Sequence, residues 1–514
     1  MRMPRLLHPE CSEDPRFDPP EHLLGVERDL ELDLVLDAMA DGDFTVREVS
    51  RSLLLGFETK REPAIYRQRV LRDCLRNPEL IRDLYSLAER GARLSRRHPL
   101  GLLRMSTASS ILSGSATLMS RLLEVMERMR ETADGASSVE SGGLRDVVTV
   151  LKERFDGERI REMRDLTERL ARQSGALISV NLGLGSRDSE YVLRERRRRR
   201  RGVWESLLRR IRGHLFGPRG SVHHFRVDAR DQASNEALVY FQRRAMSPVA
   251  NTLARASEHL LAFLDTLRVQ LAFYVGCINL AESLERAGYE VSFPDVRRRE
   301  DAILDAKSLY DPALVLTTAS PVVANDLRAD GRDLILITGA NQGGKTTFLR
   351  SVGLAQLMMQ AGMFVTASCF SSSLRPRLFT HFRREEDVSM RRGKLDEELA
   401  RVDAMLDRLR PDSMVLLNES FAATNEREGS AIAGEVLEGL RQANITVLFV
   451  THLLHLAHRL HRAGDDGVLF LRAVPREGGT RSFEISEGPP QSGGFAEDIY
   501  ADLFGRELPG IDEE

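Results

Sequence analysis

The residues GANQGGKT at 339–346 carry the densest chemistry in the chain. Gly339, Gly344, Lys345 and Thr346 fill every fixed position of the G-x-x-x-x-G-K-[ST] pattern. Glycines let a loop turn its backbone N–H groups inward around phosphate oxygens. Lys345 would reach the β- and γ-phosphates, and the Thr346 hydroxyl would ligand Mg²⁺. The apolar run LILIT at 334–338 reads as a buried strand, and 347–360 reads as a helix. That order sets a helix N-terminus beneath the phosphates. Gly339, Ala340, Asn341, Gln342, Gly343, Gly344, Lys345, Thr346 and Thr347 are therefore expected to bind ATP with Mg²⁺. The chain has 74 Lys and Arg, yet lysine occurs only at 60, 152, 307, 345 and 394. A chain that otherwise uses arginine has lysine where this loop requires it.

Two further segments supply the rest of a phosphoryl-transfer site. MVLLNES at 414–420 is an apolar strand that ends in polar residues. P-loop ATPases place Asp-Glu at this point, the Asp supporting Mg²⁺ and the Glu orienting water. Here Asn418 takes the metal-side place. It can accept from a Mg²⁺-bound water but brings no charge, so weaker Mg²⁺ binding or slower turnover is expected. Glu419 would position the attacking water. VLFVTH at 447–452 puts His452 just after a core strand, where it can sense a γ-phosphate; the plainer reading is a solvated loop histidine. His455, His458 and His461 follow at helical spacing and are read as one helix face rather than a metal site.

These groups need elements to hold them. Strand-like runs at 313–316, 334–338, 414–417, 446–450, 468–472 and 482–485 alternate with helices after Pro294. This is the texture of an α/β nucleotide-binding domain. Upstream the chain is helical. Leu32, Val35, Leu36 and Met39 follow helical spacing, 66–75 is amphipathic, and 102–132 and 144–172 are longer helices parted by the Gly/Ser-rich 133–143. Residues 178–182 and 191–193 flank GLGSRD and read as a β-hairpin. From Leu253 to Ala281, through Ser257, Leu260, Leu264, Leu267, Leu271, Tyr274 and Ile278, steps of four and three alternate in a heptad seam. The helical pattern from Pro248 onward, roughly 40 residues at ~1.5 Å each, makes an arm of about 60 Å, serving as a bundle helix or as a lever.

Bulk properties narrow the class. A chain of 514 residues is expected to form two to four domains. A formal net charge of −3 gives no global nucleic-acid signature, so any basic surface is local. One local candidate is Arg196, Arg197, Arg198, Arg199, Arg200 and Arg201, beside the hairpin, for DNA phosphates; the alternative is a solvated helix or loop. Cys11, Cys74, Cys277 and Cys369 lie far apart, which fits a reduced, cytoplasmic protein. The N-terminus has no signal-peptide core, and no run of about 18 apolar residues is found, so no membrane partner is expected.

The fuller pattern resembles a known family. ITGANQGGKTTFLR at 337–350 looks like the ITGPNxGGKST(x)xR signature of MutS-type ATPases, with Ala340 at the family's proline. GMFVTA at 362–367 is similar to its GxxVPA. NDL at 325–327, LFT at 378–380, Glu398, ESFAAT at 419–424, Thr451 with His452, Glu487 with Gly488, and GFA at 494–496 fall where that family has its remaining motifs. The resemblance is specific over 310–505 and weaker over 26–300.

It implies an all-α core and lever region followed by an α/β P-loop ATPase domain of ABC type. The divisions expected are an irregular lead at 1–25, a helical region at 26–305 with a basic clamp-like hairpin near 178–212, and the ATPase domain at 306–514. The implied protein is a homodimeric, DNA-binding ATPase of the nucleoid. It would couple ATP binding and hydrolysis to holding mismatched or branched duplexes in mismatch repair, other DNA repair or recombination. Several positions depart from the family. Counterparts of its N-terminal mismatch-recognition and connector domains, including a Phe-x-Glu triplet, are not found. The serine that reaches the partner's nucleotide aligns with Gly393, with Ser389 nearby, and Asn418 replaces the family's Asp. The alternative is a nucleotide-switched DNA-binding or scaffold protein with little hydrolysis. LSGS at 112–115 looks like the start of the LSGGQ signature, but lies far upstream of the phosphate loop and is read as helical core. No such segment lies between 346 and 414, which argues against transporter and coiled-coil chromosome-maintenance ATPases.

Overall fold

The computed structural model describes residues 3–11, 13–97, 108–136, 139–171, 177–182, 188–194, 232–383, 393–475 and 481–490. They form helices and mixed α/β sheets in two compact units. Among the described residues, one unit takes those within 86–135 and 148–265, and the other takes those within 3–85, 136–147 and 266–490.

The described residues of the first unit are helical apart from one hairpin. Helix Ala108–Asp134 buries Leu112, Ser115, Leu122, Met126 and Met129, so LSGS is helical, with Leu112 and Ser115 in the core and Ser113 exposed. It packs on helix Gly157–Ala171, where Arg164 pairs with Glu127 at 2.6 Å. The helix expected at 144–172 is two, Gly142–Arg154 and Gly157–Ala171. Asp156 breaks it by accepting from Glu158 N and Arg159 N at 3.1 and 2.8 Å, an N-cap role for which its short carboxylate is suited. Strands β1 (Leu177–Leu182) and β2 (Asp188–Arg194) pair antiparallel, as the hairpin reading expects. The Arg196–Arg201 run lies outside the described residues.

Helix Gln232–Arg286 begins earlier than its heptad seam and continues through Pro248. Ser257, Leu260, Leu264, Leu267, Leu271, Tyr274 and Ile278 of that seam are buried. Its stretch Pro248–Arg286 is long and apolar enough to cross a membrane, which corrects the expectation that no such segment exists. The window is 83% buried within the protein, as for a core helix.

The second unit holds the sheets. Strands β6 (Leu334–Thr338), β9 (Met414–Asn418), β10 (Thr446–Val450), β11 (Val468–Pro475), β8 (Leu378–Phe382) and β12 (Arg481–Glu487) form one sheet in the order β12-β11-β6-β10-β9-β8. All neighbours are parallel except the edge pair β11–β12. The apolar runs LILIT, MVLLN and TVLFV suit strands covered on both faces. Leu334, Leu336, Val415, Leu417, Val447 and Phe449 alternate onto one face, against Val402, Leu437, Leu440 and Leu456. On the other face lies helix Lys345–Ala361, buried on nearly every side. A Cβ at Gly353 would sit 2.7 Å from Leu416 and 2.9 Å from Leu30, so glycine lets this helix touch the sheet and the turn that follows helix Glu21–Asp29 together.

A second sheet, in the order β3-β7-β4-β5, takes β3 (Asp295–Arg297), β4 (Leu304–Leu309), β5 (Asn325–Arg328) and β7 (Cys369–Ser373). Residues 313–316, expected as a strand, belong instead to helix Pro312–Thr317. Asp311 caps it, accepting from Ala313 N at 2.9 Å, and Pro312 occupies the first turn, where its missing N–H costs nothing. The N-terminal residues are tied down. Leu6 is fully buried; its N donates to Gln270 Oε1 at 2.7 Å, and its carbonyl accepts from the Tyr274 hydroxyl at 2.6 Å. Arg67 donates to Leu7 O at 2.8 Å and to Ala361 O at 3.3 Å.

Candidate nucleotide site

The loop 339–346 leaves β6 and enters helix Lys345–Ala361 through left-handed backbone at Gly339, Gln342 and Gly344, with φ of 120°, 60° and 89°. A Cβ at Gly339 would meet Ala473 of β11 at 3.0 Å. Glycine is therefore required there by both angle and space.

Parallel strands deliver the remaining groups to the same edge. Val450 pairs with both Ile337 and Asn418, so the ends of β6, β9 and β10 lie side by side. Thr346 Oγ1 donates to Asn418 Oδ1 at 3.0 Å. Lys345 Nζ donates to Gly339 O and Ala340 O at 2.6 and 2.7 Å and stands 3.5 Å from His452 Nε2. Two backbone carbonyls thus hold the ammonium within the loop. Burial pushes its pKa down to about 8, against the pull of Glu419.

Glu419 is half-buried, with Oε1 at 3.3 Å from His452 Nε2 and Oε2 at 3.7 Å from Arg383 Nη1. The hydrogen bond from His452 holds its carboxyl below the usual range, with Lys345 and Arg383 adding to the effect. Glu419 is therefore an ionised acceptor at neutral pH.

Two cavities flank the loop. One of about 370 Å³ is lined by Tyr310, Leu314, Val322 and Phe483 beside Gly343–Thr347 backbone and side chains, joining an apolar pocket to the phosphate loop. The other, of about 600 Å³, is lined by Asn341, Gln342, Arg383, Glu419 and His452.

Of the residues expected from sequence, Gln342–Thr347 line the first cavity, Asn341, Glu419 and His452 line the second, and Gly339, Ala340 and Asn418 are joined to Lys345 and Thr346 by hydrogen bonds, whereas Arg196–Arg201 lie outside the described residues. Arg383 is an addition to them. It follows β8, whose Phe382 pairs with Asn418, and its N donates to Asn418 O at 3.0 Å. Recognising 378–382 as the strand beside β9 would have found it. His455, His458 and His461 lie on helix Leu454–Ala463, and no metal-holding group of His, Cys, Asp and Glu occurs among the described residues. Gly393 is the N-cap of helix Lys394–Leu406, while Ser389 and 494–496 lie outside the described residues.

Two family models match the chain. The MutS2 N-terminal domain matches residues 59–287, and MutS domain V matches residues 335–472. The chain belongs to the MutS family. Its similarity to the DNA mismatch repair protein MutS of Chloroflexus aurantiacus is 30% identity over 277 residues, covering 50% of this chain and 29% of that protein. Endonuclease MutS2 of Streptococcus agalactiae is 27% identical over 359 residues, covering 65% of this chain and 42% of that protein. MutS protein homolog 4 of Mus musculus is 31% identical over 156 residues, 30% of this chain and 16% of the relative. The chain thus spans less than half the length of each of these MutS-family relatives. The domain V match begins within β6 and ends within β11, so it encloses the loop, Asn418, Glu419 and His452.

Proposed function

We propose that this chain is an ATP-dependent DNA-binding protein whose residues 306–514 form an ABC-type P-loop ATPase domain. Residues 26–305 serve as its core and levers. The reading rests on one observation: Lys345, Thr346, Asn418, Glu419 and His452 meet at one sheet edge from three separate elements. The 339–346 backbone and Thr347 bind the phosphates, and Lys345 exchanges its two carbonyl partners for phosphate oxygens.

The oxygens of Thr346 and Asn418, 3.0 Å apart, are a donor set that fits Mg²⁺, a cation that prefers oxygen ligands. Mg²⁺ there would neutralise charge on the β- and γ-phosphates. Glu419, ionised and facing the second cavity, accepts a hydrogen bond from the attacking water and holds it in line. His452 bridges Glu419 and Lys345, and so responds to the γ-phosphate. Hydrolysis then alters how the dimer holds mismatched or branched duplex DNA in the cytoplasm, at the nucleoid. The clamp contact is assigned to Arg196–Arg201.

Asn418 favours a second reading, a nucleotide-switched scaffold that hardly turns over. ATP turnover with and without a panel of intact, mismatched, branched and single-stranded DNA separates the two. Turnover abolished by Glu419→Gln supports the ATPase. A wild type with tight ATP binding and no turnover on any DNA would sink it.

A further inference from the structure

The catalytic candidate Glu419 sits on backbone that side-chain-bearing residues avoid. Its φ is 52°, and Phe421, two residues on, has φ of 66°. Left-handed backbone is sterically costly outside glycine, and it persists where neighbours over-determine it.

The neighbours can be named. Glu419 N donates to Val450 O at 2.8 Å. The Ser420 hydroxyl donates to His381 O at 2.9 Å and lies 2.7 Å from His381 Nδ1. Phe421 N donates to Glu398 Oε1 at 2.6 Å. Glu398 is only 6% exposed, and the Phe421 ring is fully buried and stacked on His381. Behind the turn, a Cβ at Gly429 would be 2.5 Å from Phe421 O, so helix Glu426–Gln442 closes that side.

Of these holders, Glu398 alone is a carboxylate. A buried carboxylate accepting from a backbone N–H makes a short, strong bond that fixes the N–H direction. The chain has left the sheet at this point, so Phe421 N has no strand partner. Glu398 comes from helix Lys394–Leu406, one turn after its Gly393 cap.

We propose that Glu398 is a positioning residue for Glu419. Its oxygen pins the left-handed turn 419–421 and so sets where the Glu419 carboxylate points. A shift of helix Lys394–Leu406 then reaches Glu419 through this one bond. The proposal rests on the ATPase reading above and adds a determinant of its rate.

The test compares Glu398→Gln, Glu398→Asp and Glu398→Ala in the 514-residue chain, with Glu419→Gln as reference. Gln keeps an acceptor oxygen at the same reach, whereas Asp keeps the charge but withdraws it by one methylene. Misplacing a catalytic group by about 1 Å costs up to roughly 100-fold in rate. Asp and Ala are therefore expected to lower kcat about tenfold or more, with ATP affinity and KM unchanged. Gln is expected to stay within about threefold of wild type. Amide exchange in a peptide spanning 419–424 should quicken for Asp and Ala but not for Gln. If Ala fails to fold, the Asp and Gln pair decides. Wild-type kcat and unchanged exchange in Glu398→Asp would overturn the proposal, as would equal losses in Gln and Asp. A wild type without turnover would remove the ATPase reading and with it the catalytic role of Glu398; exchange at 419–424 would still report whether the clamp exists.

Discussion

The Thr346 hydroxyl hydrogen-bonds the Asn418 amide oxygen at 3.0 Å, joining the first turn of the phosphate-loop helix to the end of strand β9. Both partners are neutral. A carboxylate at 418 would accept the same bond with charge assistance, a gain on the order of 1 kcal/mol. Asn418→Asp should therefore lower the Mg²⁺ concentration for half-maximal turnover roughly fivefold and raise kcat. Asn418→Ala should do the reverse. Turnover titrated with Mg²⁺ at saturating ATP measures both, and an Asp variant with an unchanged Mg²⁺ requirement would exclude a metal role for residue 418.

Lys345 gives a pH signature. Its pKa is pushed down to about 8 by burial. In the free protein the ammonium predominates below that value and is lost above it. Phosphate oxygens favour the charged form, so its pKa rises on binding. Nucleotide binding at about pH 8.5 should then take up a substantial fraction of a proton, and affinity should fall as the pH climbs further. Calorimetry in two buffers of different ionisation enthalpy counts that proton. Lys345→Met should abolish the uptake and weaken ATP binding by about 100-fold or more.

Glu419 is held ionised by the hydrogen bond from His452, so it should remain a competent acceptor well below neutral pH. Glu419→Gln should cut kcat by about 10²–10⁴ while ATP still binds. Rapid mixing with labelled ATP would find the nucleotide bound and uncleaved. His452→Ala should lose part of the rate and let the Glu419 carboxyl titrate higher, moving the acid limb of the rate profile upward.

Packing gives an independent check on the helical frame. A Cβ at Gly276 would lie 2.8 Å from Ser50 Oγ, 3.0 Å from Val46 and 3.2 Å from Met39. Gly276→Leu should destabilise the second unit by about 3 kcal/mol through overpacking. Gly276→Ala should cost less, since alanine recovers roughly 1 kcal/mol of helix propensity. Denaturant midpoints followed at the sheet-bearing unit would rank wild type, Ala and Leu in that order.

Salt tests the assignment of DNA to the arginine run. Replacing Arg196–Arg201 with alanine should weaken duplex binding and flatten the dependence of log K on log salt, by about 0.9 for each phosphate that the protein ceases to neutralise. Unchanged affinity and slope would assign DNA to another surface.

Much of this molecule is legible along the chain. Strands β6, β9 and β10 announce themselves as unbroken apolar runs, because a parallel strand covered on both faces needs no polar side. The loop glycines announce themselves because only glycine tolerates φ of 120° against Ala473. The strands of the second sheet stay hidden: CFSSS and NDLR are short and polar, and only their partners make them strands. Residues 313–316 mislead for the opposite reason, since ALVL suits a strand until Asp311 and Pro312 are weighed as a helix start. Glu398 is visible in the sequence as a motif position, but that it bonds Phe421 N, and that Arg383 reaches Glu419, depend on which strand lies beside β9 and which helix lies over its end, and no spacing in the sequence encodes that.

The anchoring of Leu6 has a bearing on how the chain is made. Residues 3–11 are made before their partners: the Gln270 and Tyr274 groups that bond Leu6 lie 264 and 268 positions later. Arg67, which bonds Leu7, reaches its second carbonyl only at Ala361, 294 positions on. Residues 3–11 therefore wait for these partners until the chain has passed residue 270, while most residues of the other compact unit, 86–135 and 148–265, are made in between.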